Sequence, residues 1–66
     1  MKAGDLVRWA ELHALKWIWY NGIIVGYTRW RAVEAPIVVW RILKETGELV
    51  EIREDEETLK RVQDAN

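Results

Sequence analysis

The stretch KWIWYNGIIVGY, residues 16–27, carries the strongest fold signals in this sequence. Aromatic residues alternate with others up to an Asn-Gly step, and an apolar run broken by a second glycine follows. Asn-Gly between alternating runs is typical of a type I′ hairpin turn, because both residues tolerate positive φ. The alternative, which we favour, is a long loop ending in a short ladder, with Gly22 leading into a strand over residues 23–30. Gly26 then marks a bend in that strand.

The residues before this stretch predict one short strand and one ambiguous segment. GDLVRW, residues 4–9, is typical of a turn that enters a strand, with Val7 inward and Arg8 outward. Residues 10–16, AELHALK, suit a turn or two of helix, and a long ordered loop is equally compatible. The helical spacing links Leu12, Leu15 and Trp19.

The residues after this stretch predict a β-hairpin. Residues 31–36 are expected to be a connection, because the proline at its end lacks the donor that a central strand needs. IVVWRILK, residues 37–44, is typical of a long strand. A tight turn with Gly47 in the left-handed conformation follows, and LVEIR, residues 49–53, returns antiparallel with its valine and isoleucine inward.

The last part of the chain predicts a helical turn and a closing strand. Acidic residues are favoured at the N-terminus of a helical turn over residues 55–59. Residues 59–62 are expected to form a last short strand or a docking segment, and the chain should fray from about residue 63. Together these elements predict one all-β domain over residues 1–66. Its expected fold is a small five-stranded SH3-like barrel with a long first loop, in which a short helix is an alternative.

Composition bounds the protein class. The chain has 66 residues and no cysteine, so aromatic packing and oligomerisation are the stabilising devices left to so small a core. Residues 1–5 lack the apolar region of a signal peptide. The apolar runs are far shorter than the roughly 20 residues that span a bilayer. We expect a cytoplasmic protein without membrane contact.

The net charge of −1 conceals an asymmetry between the two parts of the chain. Residues 1–44 carry seven Lys/Arg against three acids, and residues 45–66 carry three against eight. In so small a fold these parts interleave. The pattern therefore favours cross-strand ion pairs over a basic face for nucleic acid.

No residue pattern indicates catalysis. The chain has neither cysteine nor serine, and its glycines do not form a phosphate-binding loop. The acidic run over residues 54–57 is interpreted as a solvated turn. His13 is the only histidine, and one histidine without a cysteine cannot build a zinc site. We expect no enzyme activity, no metal, no cofactor and no small-molecule substrate.

The five tryptophans indicate an interaction surface. Trp40 alternates with aliphatic residues and is expected in the core. The others are too many for a small interior, and tryptophan is enriched at binding hot spots. The opposite side of the third strand is also apolar through Ile37, Val39 and Leu43, with Leu6 and Leu49 beside it. The predicted partner-binding residues are Trp9, Trp17, Trp19, Trp30, Tyr20, Ile37 and Val39. The expected partner is another protein or a second copy of the chain.

Nucleic-acid binding is the alternative from another class. Translation and transcription factors with KOW-type barrels have a similar opening sequence, and the tryptophans interleaved with basic residues here could stack on bases beside phosphates. The basic residues concerned are Lys16, Arg29 and Arg31. A pI of about 5.8 opposes this alternative, because affinity for nucleic acid depends on positive charge.

Several short motifs resemble those of small SH3-like barrel proteins frequently encoded by bacteriophages. These motifs are GDLVR at residues 4–8, NGIIVGY at 21–27, and VVWRILKETGELVEIREDEETLKRV at 38–62. The resemblance covers about two thirds of the chain and implies a phage protein in the host cytoplasm or the virion. It supports the fold more than the function, because such barrels serve many unrelated tasks.

The scaffold also resembles the type II dihydrofolate reductases. Those enzymes share the Gly-Asp-x-Val-Arg opening, here Gly4 to Arg8, and the Gly-x-Ile-Val-Gly segment, here residues 22–26. Their pore-lining Val-Gln-Ile-Tyr strand corresponds to residues 50–53, where glutamate and arginine replace the glutamine and the tyrosine. Trp9 stands where the family has a lysine. Reductase activity is therefore only a remote alternative.

Overall fold

The computed structural model describes residues 1–31 and 36–62, with the backbone alone at residue 31. The predicted connection at 31–36 lies mostly outside these residues, and the predicted fraying from residue 63 lies wholly outside them. The strands are β1 (Leu6–His13), β2 (Lys16–Arg31), β3 (Pro36–Lys44), β4 (Leu49–Arg53) and β5 (Lys60–Arg61).

The five strands form one antiparallel sheet in the order β4-β3-β2-β1-β5. The first half of β2 pairs with β1 and the second half with β3. The register shifts between Ile24 and Gly26, which is a β-bulge of the kind that bends a strand. The predicted all-β class and the bend near Gly26 are therefore confirmed.

The predicted long first loop is wrong, and so is the alternative of a hairpin at Asn21-Gly22. β1 and β2 form a hairpin of eight cross-strand pairs around a two-residue turn at Ala14 and Leu15, whose φ angles are 49° and 65°. Asn21 and Gly22 lie inside β2. The ladder overrides the local turn signals, because eight pairs stabilise more than two left-handed residues cost.

No helix occurs in the described parts of the chain, at residues 10–16 or elsewhere. The helical spacing of apolar residues was misleading, because Leu12 and Trp19 lie on adjacent strands and Leu15 lies at the turn. The predicted helical turn at residues 55–59 is instead two successive turns. They are closed by hydrogen bonds from Glu56 N to Arg53 O and from Leu59 N to Glu56 O. Accordingly, the described residues include no helix able to cross a membrane.

The second hairpin follows the prediction closely. β3 ends at Lys44, β4 spans Leu49–Arg53, and Gly47 has a φ of 89° in the turn between them. β3 begins at Pro36, one residue earlier than expected, at a first strand position where the missing donor is tolerated.

One side of the sheet packs the core. Its buried members include Val7, Trp9, Ile24, Trp40 and Ile42, and Leu59 covers them from the last turn. Val50 and Ile52 pack against this cluster, as the sequence predicts. The Trp40 indole nitrogen is buried and has no hydrogen-bond partner among the described residues.

Candidate functional site

The outward side of the sheet carries a row of aliphatic residues in direct register. Leu6 on β1 lies opposite Ile23 on β2, Ile23 opposite Leu43 on β3, and Leu43 opposite Leu49 on β4. Residues opposite each other in a ladder project to the same side, so one row crosses four strands. All four side chains are exposed.

The same side continues along the first hairpin. Trp17 and Trp19 precede Ile23 on β2 by even offsets, so all three side chains project to the same side of the strand. Leu12 lies opposite Trp17. Trp17 is 62% exposed and Trp19 48%. We name this set the outer apolar face. Its members are Leu6, Leu12, Trp17, Trp19, Ile23, Leu43 and Leu49.

Arg8 fixes part of this face. Its guanidinium carbon lies 4.4 Å from the centre of the Trp19 ring, at the distance of a cation–π contact. A ring held this way loses little conformational entropy when a partner covers it.

A depression of about 390 Å³ opens in the aliphatic row. Its apolar lining consists of Leu6, Val7, Ile23, Leu43 and Val62, and the charged residues Lys44 and Glu45 also line it. Main-chain bonding holds the rim together, because Val62 N donates to Leu6 O. Interface hot spots concentrate in pockets of this kind, where one large side chain is fully desolvated.

The structure separates the remaining predicted contact residues from this face. Trp9 is 1% exposed and Val39 2%, so neither is accessible to a partner, and Tyr20 stacks on Trp9 on the inward side. The signal for Trp9 was its alternation with Val7, which places both on one side of β1.

Trp30 and Ile37 lie elsewhere. They form a cross-strand pair near the far end of β2, eleven residues beyond Trp19. At about 3.3 Å per residue, that separation places them far along the strand from the hairpin tryptophans. Trp30 is 54% exposed, but it lies outside the outer apolar face.

The residues predicted to bind nucleic acid do not lie close together. Lys16 begins β2, whereas the Arg29 guanidinium lies over the Tyr27 ring, 5.9 Å from its centre, near the other end of that strand. The Arg31 side chain lies outside the described part of the chain. No continuous basic surface is formed by Lys16 and Arg29.

A chain of polar contacts lines the inward side of the first hairpin. The Trp9 indole nitrogen donates to Glu11 Oε2 at 2.9 Å, and His13 Nε2 lies 3.2 Å from Glu11 Oε1. The Tyr20 hydroxyl is 3.4 Å from the same histidine nitrogen, and the Lys44 ammonium lies 4.1 Å from the centre of the Tyr20 ring.

The hydrogen bond from Trp9 is the main reason that the pKa of Glu11 is lowered from its ordinary value of 4.5. Partial burial opposes this shift, whereas the contact with His13 and the charge of Lys44 add to it. A carboxylate of this kind remains ionised and accepts hydrogen bonds. It holds the tryptophan ring in place rather than supplying a proton.

Within ranges 1–31 and 36–62, no group of three or more His, Cys, Asp or Glu side chains is placed to hold a metal ion.

The sequence pattern anticipated part of the outer apolar face and missed the rest. The apolar surface predicted from the sequence included Leu43, Leu6 and Leu49. Trp17 and Trp19 were among the predicted partner-binding residues. Ile23 and Leu12 were missed because their side of the sheet depends on the register of the first hairpin. No protein-family model, no curated protein and no solved structure matches this chain.

Proposed function

We propose that this protein is a small SH3-like barrel of the kind that bacteriophages encode, and that it acts through protein contacts rather than catalysis. Five antiparallel strands, one of them a long strand shared by two ladders, support this fold. Its proposed location is the cytoplasm of the infected cell or the virion.

The outer apolar face is the observation that carries the proposal. Exposed apolar residues are ordinary when they are scattered, but here two tryptophans and an aliphatic row share one side of four strands. Only the Arg8–Asn21 pair lies between the tryptophans and the row on this side. Apolar side chains gathered on one side of a small protein mark an interaction site, because leaving them in water is costly.

A second copy of the chain is the partner that this face fits best. Its members are uncharged, and depletion of charge with enrichment of aromatic side chains is typical of homodimer interface cores. A two-fold axis would place the same face against itself, so each copy would offer apolar side chains to the other's depression.

Light scattering across protein and salt concentrations tests this proposal. We expect the wild type to form a dimer or larger species that salt does not dissociate, since apolar burial is not screened. Replacing Trp17 and Trp19 by glutamine should yield monomers. Trp30→Gln is the matched control, because Trp30 is similarly exposed but lies outside the face, and it should keep the wild-type mass.

A wild type that stays monomeric at every concentration would contradict self-association. So would a double variant that retains the wild-type mass while its amide spectrum shows an intact fold. Addition of single-stranded DNA tests the nucleic-acid alternative, which requires a mass increase that weakens steeply with salt.

A further inference from the structure

An open groove of about 660 Å³ lies between β1 and β4. Residues 9–11 line one side, residues 50–53 line the other, and Asp55 and Glu56 complete the lining. β1 and β4 are not neighbours in the sheet, since β3 and β2 lie between them in the strand order. The groove is therefore bordered by two strand edges that do not pair with each other.

The β4 edge presents main-chain groups to this groove. Lys44 N donates to Glu48 O and Glu54 N donates to Val38 O, which fixes the alternation of the β3–β4 ladder. Even-numbered residues of β4 therefore bond to β3. The main-chain groups of Leu49 and Glu51, with the Arg53 N–H, point away from β3 and have no main-chain partner among the described residues.

The β1 edge is occupied only in part. On the side away from β2, Leu6 O accepts from Val62 N, and Ala10 N and O both bond to the Thr58 hydroxyl. By the same alternation the main-chain groups of Leu12 face this side too, beyond the point where β5 and Thr58 cover it.

The groove is strongly acidic. Glu11, Glu51, Asp55 and Glu56 line it, and the guanidinium of Arg53 is already bound to Asp55 at 2.8 and 3.0 Å. Glu51 lies opposite Arg41 in the register, but no ion pair joins them. Unpaired strand edges normally invite pairing with another chain. Carboxylates here repel the same edge of a second copy and attract a chain with cationic side chains.

We propose that this groove binds an extended peptide with basic side chains, which adds to the β4 edge as an extra strand. Main-chain hydrogen bonds supply affinity in strand addition, and alternate side chains supply specificity. β4 has five residues, so at about 3.3 Å per residue it matches a segment of similar length. This site goes beyond the proposed self-association and does not depend on the outer apolar face.

A capped hexapeptide of alternating lysine and valine is the probe. We expect it to shift the backbone amide resonances of Glu51 and Arg53, with a dissociation constant that rises with salt. The same peptide with alternate amides N-methylated should bind about tenfold more weakly, because it lacks strand donors. A glutamate-valine hexapeptide should not bind.

Charge variants locate the site. Glu51→Lys should weaken the lysine-valine peptide about fivefold or more, since it reverses a charge in the groove. Glu57→Lys is the matched control, because Glu57 is exposed nearby but does not line the groove, and it should bind as the wild type does. The glutamine variant of Trp17 and Trp19 should also retain binding, which separates this test from the test of self-association.

Four results would overturn the proposal. Equal binding of the N-methylated peptide would exclude strand addition, and equal binding of the glutamate peptide would exclude recognition of charge. Amide shifts confined to residues outside the groove, or no binding at all, would exclude the site.

Discussion

Gly22 shows how a close approach between strands determines a residue. A Cβ at this position would lie 2.5 Å from the Ile42 side chain and 2.7 Å from the Leu43 carbonyl oxygen. Contacts this short are not found, so one of the strands would have to move. The glycine of the Asn-Gly step is thus explained by the packing of β3 against β2 and not by a turn.

We expect Gly22→Ala to lower the free energy of unfolding by about 2 to 3 kcal/mol, because overpacking displaces backbone as well as side chain. Urea denaturation measures the change. Gly26→Ala is the control: a Cβ there meets nothing within 4 Å, and we expect a change of less than about 1 kcal/mol. Equal losses in both variants would contradict the close-approach explanation.

Glu11 gives the fold a dependence on pH. Its pKa is lowered in the folded state, chiefly by the Trp9 hydrogen bond, so its ionised form stabilises the fold above the ordinary value of 4.5. This stabilisation is lost as the pH falls through the folded-state pKa. Glu11→Gln should therefore be less stable than the wild type at neutral pH.

The difference between wild type and Glu11→Gln should shrink below about pH 4.5, which urea titrations at several pH values would reveal. Glu57→Gln serves as a control at an exposed position without a side-chain hydrogen bond among the described residues. A constant difference from neutral to acidic pH would argue against the Trp9–Glu11 contact.

At the scale of the elements, the turn of the first hairpin is formed by two residues that are unfavourable in such turns. Ala14 and Leu15 both have positive φ, and each costs about 1 to 2 kcal/mol there as an L-residue with a Cβ. Leu15 is 94% exposed, so no packing repays this cost. The hairpin is held by its ladder and by the stacking of Trp9 on Tyr20.

Replacing Ala14 by asparagine and Leu15 by glycine should raise the free energy of unfolding by about 1 to 2 kcal/mol, since Asn-Gly adopts a type I′ turn readily. Thermal and urea denaturation would show the gain. A control variant, Ala14→Val with Leu15→Val, should lose stability, because β-branched residues resist positive φ. No gain from Asn-Gly would mean that the two-residue turn is absent in solution.

The two hairpins explain what the sequence can and cannot predict. The β3–β4 hairpin was predictable, because Gly47 occupies its left-handed position between two β-branched runs. The β1–β2 hairpin was not, because its turn lacks glycine while a stronger turn signal lies inside β2 at Asn21-Gly22. Tertiary packing decided between the two signals.

The same limit applies to the candidate surfaces. The exposure of Trp17 and Trp19 was predictable, because tryptophans in excess of what a core can hold must be exposed. Trp9 was not separable from them without the register, which pairs it with Tyr20 on the inward side. The groove beside β4 was invisible in the sequence, since it depends on which strand edges are left unpaired.

At the scale of the whole molecule, β2 joins two parts of one sheet. Its 16 residues pair with β1 up to Ile23 and with β3 from Gly22 onward, and the bulge between Ile24 and Gly26 lies just beyond the last pair with β1. β2 therefore connects the strands that carry the outer apolar face with the strands that border the groove between β1 and β4. Because of this connection, β2 sets the orientation of a partner bound at the face relative to a peptide bound in the groove.

The Thr58 hydroxyl bonds to both main-chain groups of Ala10 across 48 residues of sequence. The two hairpins are local and can form within microseconds, whereas this contact must wait until the chain has closed a long loop. A contact that forms after the folding transition state contributes to the native state alone. We therefore expect loss of the Thr58 hydroxyl to raise the unfolding rate more than it lowers the folding rate.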